Sequence, residues 1–283
     1  MTVKLVTDST SYIQEETLRD LDIKIVSLAV NFPGESFDEE SADYDDFYKR
    51  IEREGIIPTS SQPSVGTMID TFKEIISRGE EVLAIFISSK MSGTYECALQ
   101  AKKVLLEEYP QACIEVLDSK TNCMALGLQV IEAAAAAQAG KKMEEVKQIA
   151  QDIRDKVRFY FVPATLDYLI KGGRIGGASA LLGSLLKIRP ILYVNDGMTD
   201  VEEKVRGTKA AIKRIIQILH EDASKYGLKH LLVHHIHDHE RGSELAHNLS
   251  NLFQRQVQSY SIGPVIGLHV GPGTLGVVYC TEE

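Results

Sequence analysis

Apolar runs and amphipathic stretches alternate along the first half of this chain. Val3-Lys4-Leu5-Val6-Thr7 predicts a strand, and Asp8-Ser9-Thr10-Ser11 the loop that leaves it. Ile23 to Val30 predicts a second strand, and Asp43 to Glu54 a helix. Met68, Ile69, Phe72, Ile75 and Ile76 recur at helical spacing, so Val65 to Ser77 is expected to be helical, with Gly79 as the stop. A strand at Val82–Ile87, a helix at Gly93–Tyr109 and a strand at Cys113–Leu117 follow. Cys123 to Gln138 is a long helix pattern ended by Gly140, and Glu144 to Lys156 is another. This alternation predicts a parallel α/β, Rossmann-like sheet with covering helices. Ligands of such sheets sit outside the carboxyl ends of the strands. Asp8–Ser11 and Ser88–Ser92 occupy such ends.

The pattern changes near Arg158. Strands are expected at Phe159–Val162, Ile188–Val194, Met198–Val201, His230–Ile236, Gln256–Ser261 and Leu275–Cys280. Asp196-Gly197 reads as a hairpin turn. Helices are expected at Leu166–Ile170, Ala180–Leu186, Thr208–His220 and Glu240–Gln254. The expected organisation is an N-terminal α/β domain over 1–157 and a C-terminal α+β domain over 158–283, the latter with helices on a mostly antiparallel sheet.

Charge narrows the function classes. The chain has 31 Lys and Arg against 40 Asp and Glu, with a pI near 5.5, which argues against a general nucleic-acid or anionic-membrane binder. No apolar run reaches membrane-spanning length, and the amino terminus reads as a strand instead of a signal peptide. Cys97, Cys113, Cys123 and Cys280 form no close pair and no metal spacing. They are expected to be reduced, in a cytoplasmic protein. Glu35 to Asp46 carries seven acids and no base and is expected to be solvated. From Lys171 to Arg214 the balance reverses, nine bases to four acids, which suits a docking or anion-facing patch as well as a scattered surface.

Three segments carry candidate chemistry. Gly263 to Gly273 holds four glycines, two prolines and His269, a stiff frame that restricts where the imidazole goes. Pro58-Thr59-Ser60-Ser61-Gln62-Pro63-Ser64 and Ser88-Ser89-Lys90-Met91-Ser92-Gly93-Thr94 are hydroxyl-rich entries to helices. Such entries suit a carboxylate or phosphate, and they equally suit plain N-capping. Gly172-Gly173-Arg174-Ile175-Gly176-Gly177 lacks the strand context of a nucleotide loop and is better read as a bend. It either presents Arg174 to an anion or lets Arg174 tie down a loop carbonyl. His234-His235-Ile236-His237-Asp238-His239 is a poor metal site, because neighbouring strand residues point to opposite faces. Ser92, His269 and Asp8 can be named as a hydrolytic triad, but Ser92 is not in a nucleophile elbow.

Taken in order, these motifs resemble the DegV family, which includes the fatty-acid-binding subunits of bacterial fatty acid kinase. The resemblance rests on Thr7-Asp8-Ser9-Thr10-Ser11, Thr59-Ser60-Ser61-Gln62-Pro63-Ser64, Ser92-Gly93-Thr94-Tyr95, Gly172-Gly173-Arg174-Ile175, Val205-Arg206-Gly207 and Ile262 to Gly273. It implies two domains with a long-chain fatty acid in an apolar tunnel between them. It also implies no cofactor and no catalysis by this chain alone. The carboxylate would be held by Ser60 (usually Thr in the family), with Ser61 able to share that role, and by Ser92 and His269. Arg174 and Arg206 would face a separate ATP-dependent kinase subunit. That kinase would make an acyl phosphate for phospholipid synthesis. The resemblance implies no nucleic-acid partner and no membrane span, and leaves transient membrane contact open. A chain of about sixteen carbons gains on the order of 10 kcal/mol on burial, so the carboxylate is the group that needs help. A Ser/His hydrolase or other small-molecule enzyme using Ser92 and His269 is the alternative. A regulatory protein with a structural lipid is a third reading.

Overall fold

Val82 to Phe86 is an unbroken apolar run, and every one of its side chains is buried. That is the signature of a strand covered on both faces. It forms β6 (Glu81–Phe86) in a computed structural model that describes residues 2–181 and 188–283. Among the described residues, β1 (Val3–Asp8), β2 (Lys24–Val26), β6 and β7 (Ile114–Asp118) make a parallel sheet of order β2-β1-β6-β7. One face packs against α3 (Val65–Ile76) and α4 (Thr94–Glu108), through Met68, Phe72, Ile75, Cys97, Ala101 and Leu105. On β1 and β6 also packs the alanine-rich α5 (Cys123–Gln138), buried over most of its length. Helices α1 (Glu15–Asp20) and α6 (Met143–Lys156) are amphipathic or polar connections.

The stretch expected as one strand from Ile23 to Val30 is two. It breaks after β2, and β3 (Ala29–Phe32) joins a second small sheet, β4-β3-β5, with β4 (Glu35–Asp38) and β5 (Thr59–Ser61). The cause lies at Leu28. Its N–H donates to Ser9 Oγ, outside both sheets, while its carbonyl accepts from Glu39 N and so carries on the β3–β4 register from Ala29 and Asp38.

The chain divides into two compact units, residues 1–41 with 60–155, and residues 42–59 with 156–283. The second unit holds a sheet of order β10-β9-β8-β13-β11-β12. Its strands are β8 (Val157–Val162), β9 (Ile188–Asn195), β10 (Met198–Arg206), β11 (His230–His235), β12 (Gln258–Ser261) and β13 (Leu275–Cys280). All neighbours are antiparallel except β11 and β12. Helices α8 (Thr208–Tyr226) and α9 (His239–Phe253) cover this sheet with Ala211, Ile215, Leu219, Leu245 and Leu249. A short α7 (Asp167–Lys171) precedes a 3-10 segment at Gly176–Leu181. The helix expected at Ala180–Leu186 lies mostly outside the described residues.

Segment 42–59, expected in the first domain, belongs to the second unit. It carries α2 (Tyr44–Glu54), capped by Asp43, whose side chain accepts from Asp46 N, and ended by Gly55 in the left-handed region. Phe47, Tyr48 and Ile51 are its buried face. Tyr48 Oη donates to the carbonyls of Ile262 and Gly263, each at 3.2 Å. The partner is α10 (Pro264–Val270), a helix where the sequence suggested only a rigid frame. Pro264 suits the first turn, and Gly271 at φ +93 ends it.

Candidate functional site

In the first unit the two hydroxyl motifs are neighbours. Ser60 and Ser61 lie on β5, and Ser61 Oγ accepts from Asn31 Nδ2 at 3.2 Å. The capping hydroxyl of α3 is that of Ser64, which accepts from Thr67 N at 3.0 Å. Capping is therefore assigned to Ser64, not to Ser60 or Ser61. Ser92 precedes α4, with its Oγ 3.0 Å from Thr94 Oγ1 and 3.4 Å from Thr94 N. Gln62 joins the motifs. Its amide lies where a side chain on Gly93 would be, and Cys97 Sγ donates to Pro63 O at 3.2 Å.

The carboxyl ends of the parallel strands hold buried polar groups. Asp8 is fully buried and accepts from Ile87 N at 2.7 Å and from Thr10 N and Oγ1. Burial pushes its carboxyl up to about 6, although the N–H of Ile87 and the two Thr10 bonds pull it down. Among the described residues its hydrogen-bond partners are Ile87 and Thr10. Glu39 was expected to be solvated. It is buried instead, accepting from Ser9 Oγ at 2.5 Å and Tyr12 Oη at 2.9 Å. Six other acids within Glu35–Asp46 hide it in the sequence. A hydroxyl and a phenol distant along the chain select it.

In the second unit, His269 sits near the end of α10. Its ring lies against Gly172, and the ring of Tyr168 lies against Gly271. The Gly-Gly-Arg bend and the glycine–proline segment are thus brought together. Burial pushes His269 down to about 4, and the Arg174 charge adds to this. The imidazole is neutral near pH 7, able to donate one hydrogen bond and accept another. Arg174 Nη1 donates to Gly172 O at 2.6 Å, so it ties its own bend. Arg174 is an exposed residue. Arg206 is exposed too, but it is the last residue of β10. Gly176 and Gly177 pack on Thr199 and Asp200 near the first residue of that strand.

The histidine run divides as its strand parity requires. His234 Nδ1 lies 3.1 Å from Tyr260 O, while His235 packs on Gly242. His237 and His239 both reach Asp45 Oδ1, at 3.0 and 3.2 Å. Among the described residues no group of three or more His, Cys, Asp or Glu is arranged to hold a metal ion.

A family model described as "Uncharacterised protein, DegV family" matches residues 2–282. The chain belongs to the DegV family. A DegV domain-containing protein of Clostridium acetobutylicum is 47% identical over 283 residues, which is 100% of this chain and 99% of that protein. The structure described as "Fatty Acid Binding of a DegV family Protein from Thermus thermophilus" superposes with a TM-score of 0.90 at 29% identity, covering 99% of this chain and 100% of that one. The structure of DegV from Bacillus subtilis, described as a fatty acid binding protein, gives 0.86 at 34% identity, covering 99% of each chain. The DegV fold, a parallel α/β unit plus a second sheet unit, is therefore the fold of this chain. Among the described residues no helix is long and apolar enough to cross a membrane.

Proposed function

We propose that this chain binds a long-chain fatty acid and presents its carboxylate to a separate ATP-dependent fatty acid kinase, in the cytoplasm and toward phospholipid synthesis. The observation that carries the reading is the full-length likeness to two DegV-family structures described as binding fatty acid. Ser60, Ser61 and Ser92 are assigned to the carboxylate, and His269 to the same head group. A neutral imidazole fits that task. It donates one hydrogen bond without adding a positive charge, so the carboxylate keeps its negative charge for attack on a phosphoryl group. Arg174 and Arg206 are assigned to the kinase-facing surface, where exposed charge acts mainly on association. The chain supplies positioning and leaves the phosphoryl chemistry to its partner.

The test is mass spectrometry of an organic extract of the purified protein, followed by incubation with a fatty acid kinase and ATP. Near one fatty acid per chain, converted to acyl phosphate, is expected. A lipid-free protein that hydrolyses esters would overturn the reading.

A further inference from the structure

The exits of β1 and β6 lie side by side where the order of the parallel sheet reverses. Asp8 is the last residue of β1, and Ile87 is the first after β6. The Asp8 carboxylate spans the two, taking the Ile87 N–H on Oδ2 and the Thr10 groups on Oδ1. Ile87 opens a short turn. The Ser88 carbonyl accepts from Met91 N at 2.9 Å and from Ser92 N at 3.1 Å. From the other side, Ser88 N donates to Thr121 O at 2.9 Å, and Ser89 Oγ donates to Asp118 Oδ2 at 2.5 Å. Backbone bonds thus connect Asp8 to Ser92 through two adjoining residues and one carbonyl.

Every group that bonds Asp8 is neutral. The titratable neighbours are Glu39, which accepts from Ser9 Oγ and Tyr12 Oη, and the Cys123 thiol at the start of α5. Burial pushes that thiol well up, and the charges of Glu39 and Asp8 push it further. Among the described residues no cation bonds Asp8, so its ionised form depends on the Ile87 and Thr10 bonds.

We propose that Asp8 is a positioning residue whose ionised carboxylate fixes the Ile87–Ser92 turn, so that proton uptake by Asp8 loosens Ser92 and weakens fatty-acid binding. The inference rests on the head-group role assigned to Ser92 above. An ionised acceptor holds an amide N–H more strongly than a neutral carboxyl does. Burial places the titration of Asp8 at about 6, within reach of mild acidification.

The first experiment needs no ligand. Hydrogen exchange of the amides from Phe86 to Ser92 is followed from about pH 7.5 to about pH 5, corrected for intrinsic rates. Protection in the wild type is expected to fall about fivefold as Asp8 takes a proton. In Asp8→Asn it is expected to be low and flat. Wild-type protection that is flat across the range overturns the positioning role. The second experiment measures affinity for hexadecanesulfonate, whose head group stays anionic throughout. About fivefold weaker binding in acid is expected for the wild type, and no change for Asp8→Asn. Binding that is independent of pH, beside a pH-dependent exchange, overturns the link to affinity. If neither the sulfonate nor a fatty acid binds at any pH, the lipid-binding reading fails while the exchange result still decides the role of Asp8 in the turn. Should Asp8→Asn not fold, the two wild-type profiles decide alone.

Discussion

The imidazole of His269 rests on the bare Cα of Gly172. A methyl group at 172 would overlap Nδ1 and meet the Tyr168 carbonyl oxygen at 3.0 Å. Gly172 has φ −73, which any residue can adopt. Glycine is required there for space. Gly172→Ala is expected to fold with a loss of about 1–3 kcal/mol, typical of overpacking. It should also displace the ring, so that acyl-phosphate formation with kinase and ATP falls more than bound lipid does. The check is melting, lipid content and kinase turnover on one preparation. Turnover at the wild-type level would show that the position of the ring does not matter.

Ser92→Ala removes a hydroxyl assigned to the carboxylate. A hydrogen bond to a charged group contributes about 1.5–3 kcal/mol, so Kd for a fatty acid should rise roughly tenfold or more. Ser60→Ala should act in the same direction, and less if Ser61 shares the task. Thr94→Val is the control, because it removes the partner of Ser92 Oγ in the turn while keeping Ser92 itself. Equal affinity of both serine variants and the wild type would remove the head-group assignment.

Acid should destabilise the second unit first. His234, His235 and His269 are each pushed down to about 4, in every case chiefly by burial. A histidine with a depressed folded value favours the neutral form. Its contribution is present above 6.5, the ordinary value, and is lost as pH falls through 4. For the fully buried His234 this amounts to about 3 kcal/mol. For global unfolding Asp8 works in the opposite sense, because unfolding releases it from burial, which loss of the Ile87 bond alone does not; its raised value makes its contribution full below 3.8 and lost as pH rises through about 6. Melting temperature should therefore fall from about pH 6.5 to about pH 4, and hydrogen exchange should locate the opening in residues 157–283. A constant melting temperature over that window would contradict the burial of these imidazoles.

Arg174 and Arg206 should separate in their effects. Arg206→Ala, at the exposed end of β10, is expected to spare lipid binding and lower kinase coupling, with the loss growing smaller at high salt. Arg174→Ala also removes the bond to Gly172 O and the positive charge beside His269. The His269 titration should then move upward, which NMR of the ring protons can follow. A titration that stays in place would mean that burial alone holds it down.

The alternation of apolar runs was enough to read the Rossmann-like sheet, because strands covered on both faces leave a continuous signal, as Val82–Phe86 does. Cys123–Gln138 and Leu275–Cys280 have the bounds that the pattern predicts. The break at Leu28 was not legible, since it depends on Ser9 and Glu39, far away in the chain. Nor was the helix around His269. A run rich in glycine and proline argues against helix by propensity. What overrides propensity is packing, where Tyr48 Oη fills the space that a side chain on Gly267 would need. Ser64 outcompeted the serines before it as the cap because it directly precedes α3. Pairs such as Gln62 on Gly93 involve glycines whose role is to be absent, and one sequence gives no sign of that.

The excursion of residues 42–59 means that neither unit is a continuous stretch of polypeptide. The chain passes between them at 41/42, 59/60 and 155/156. A protein cut after Asp155 would carry α2 with Tyr48 deprived of its partners Ile262 and Gly263. The same holds during synthesis. α2 leaves the ribosome some 210 residues before α10, and at about 5–20 residues per second it waits roughly 10–40 s for the helix against which Tyr48 packs. For that interval the nascent chain exposes an apolar helix face, and the second unit cannot close until the last strand has been made.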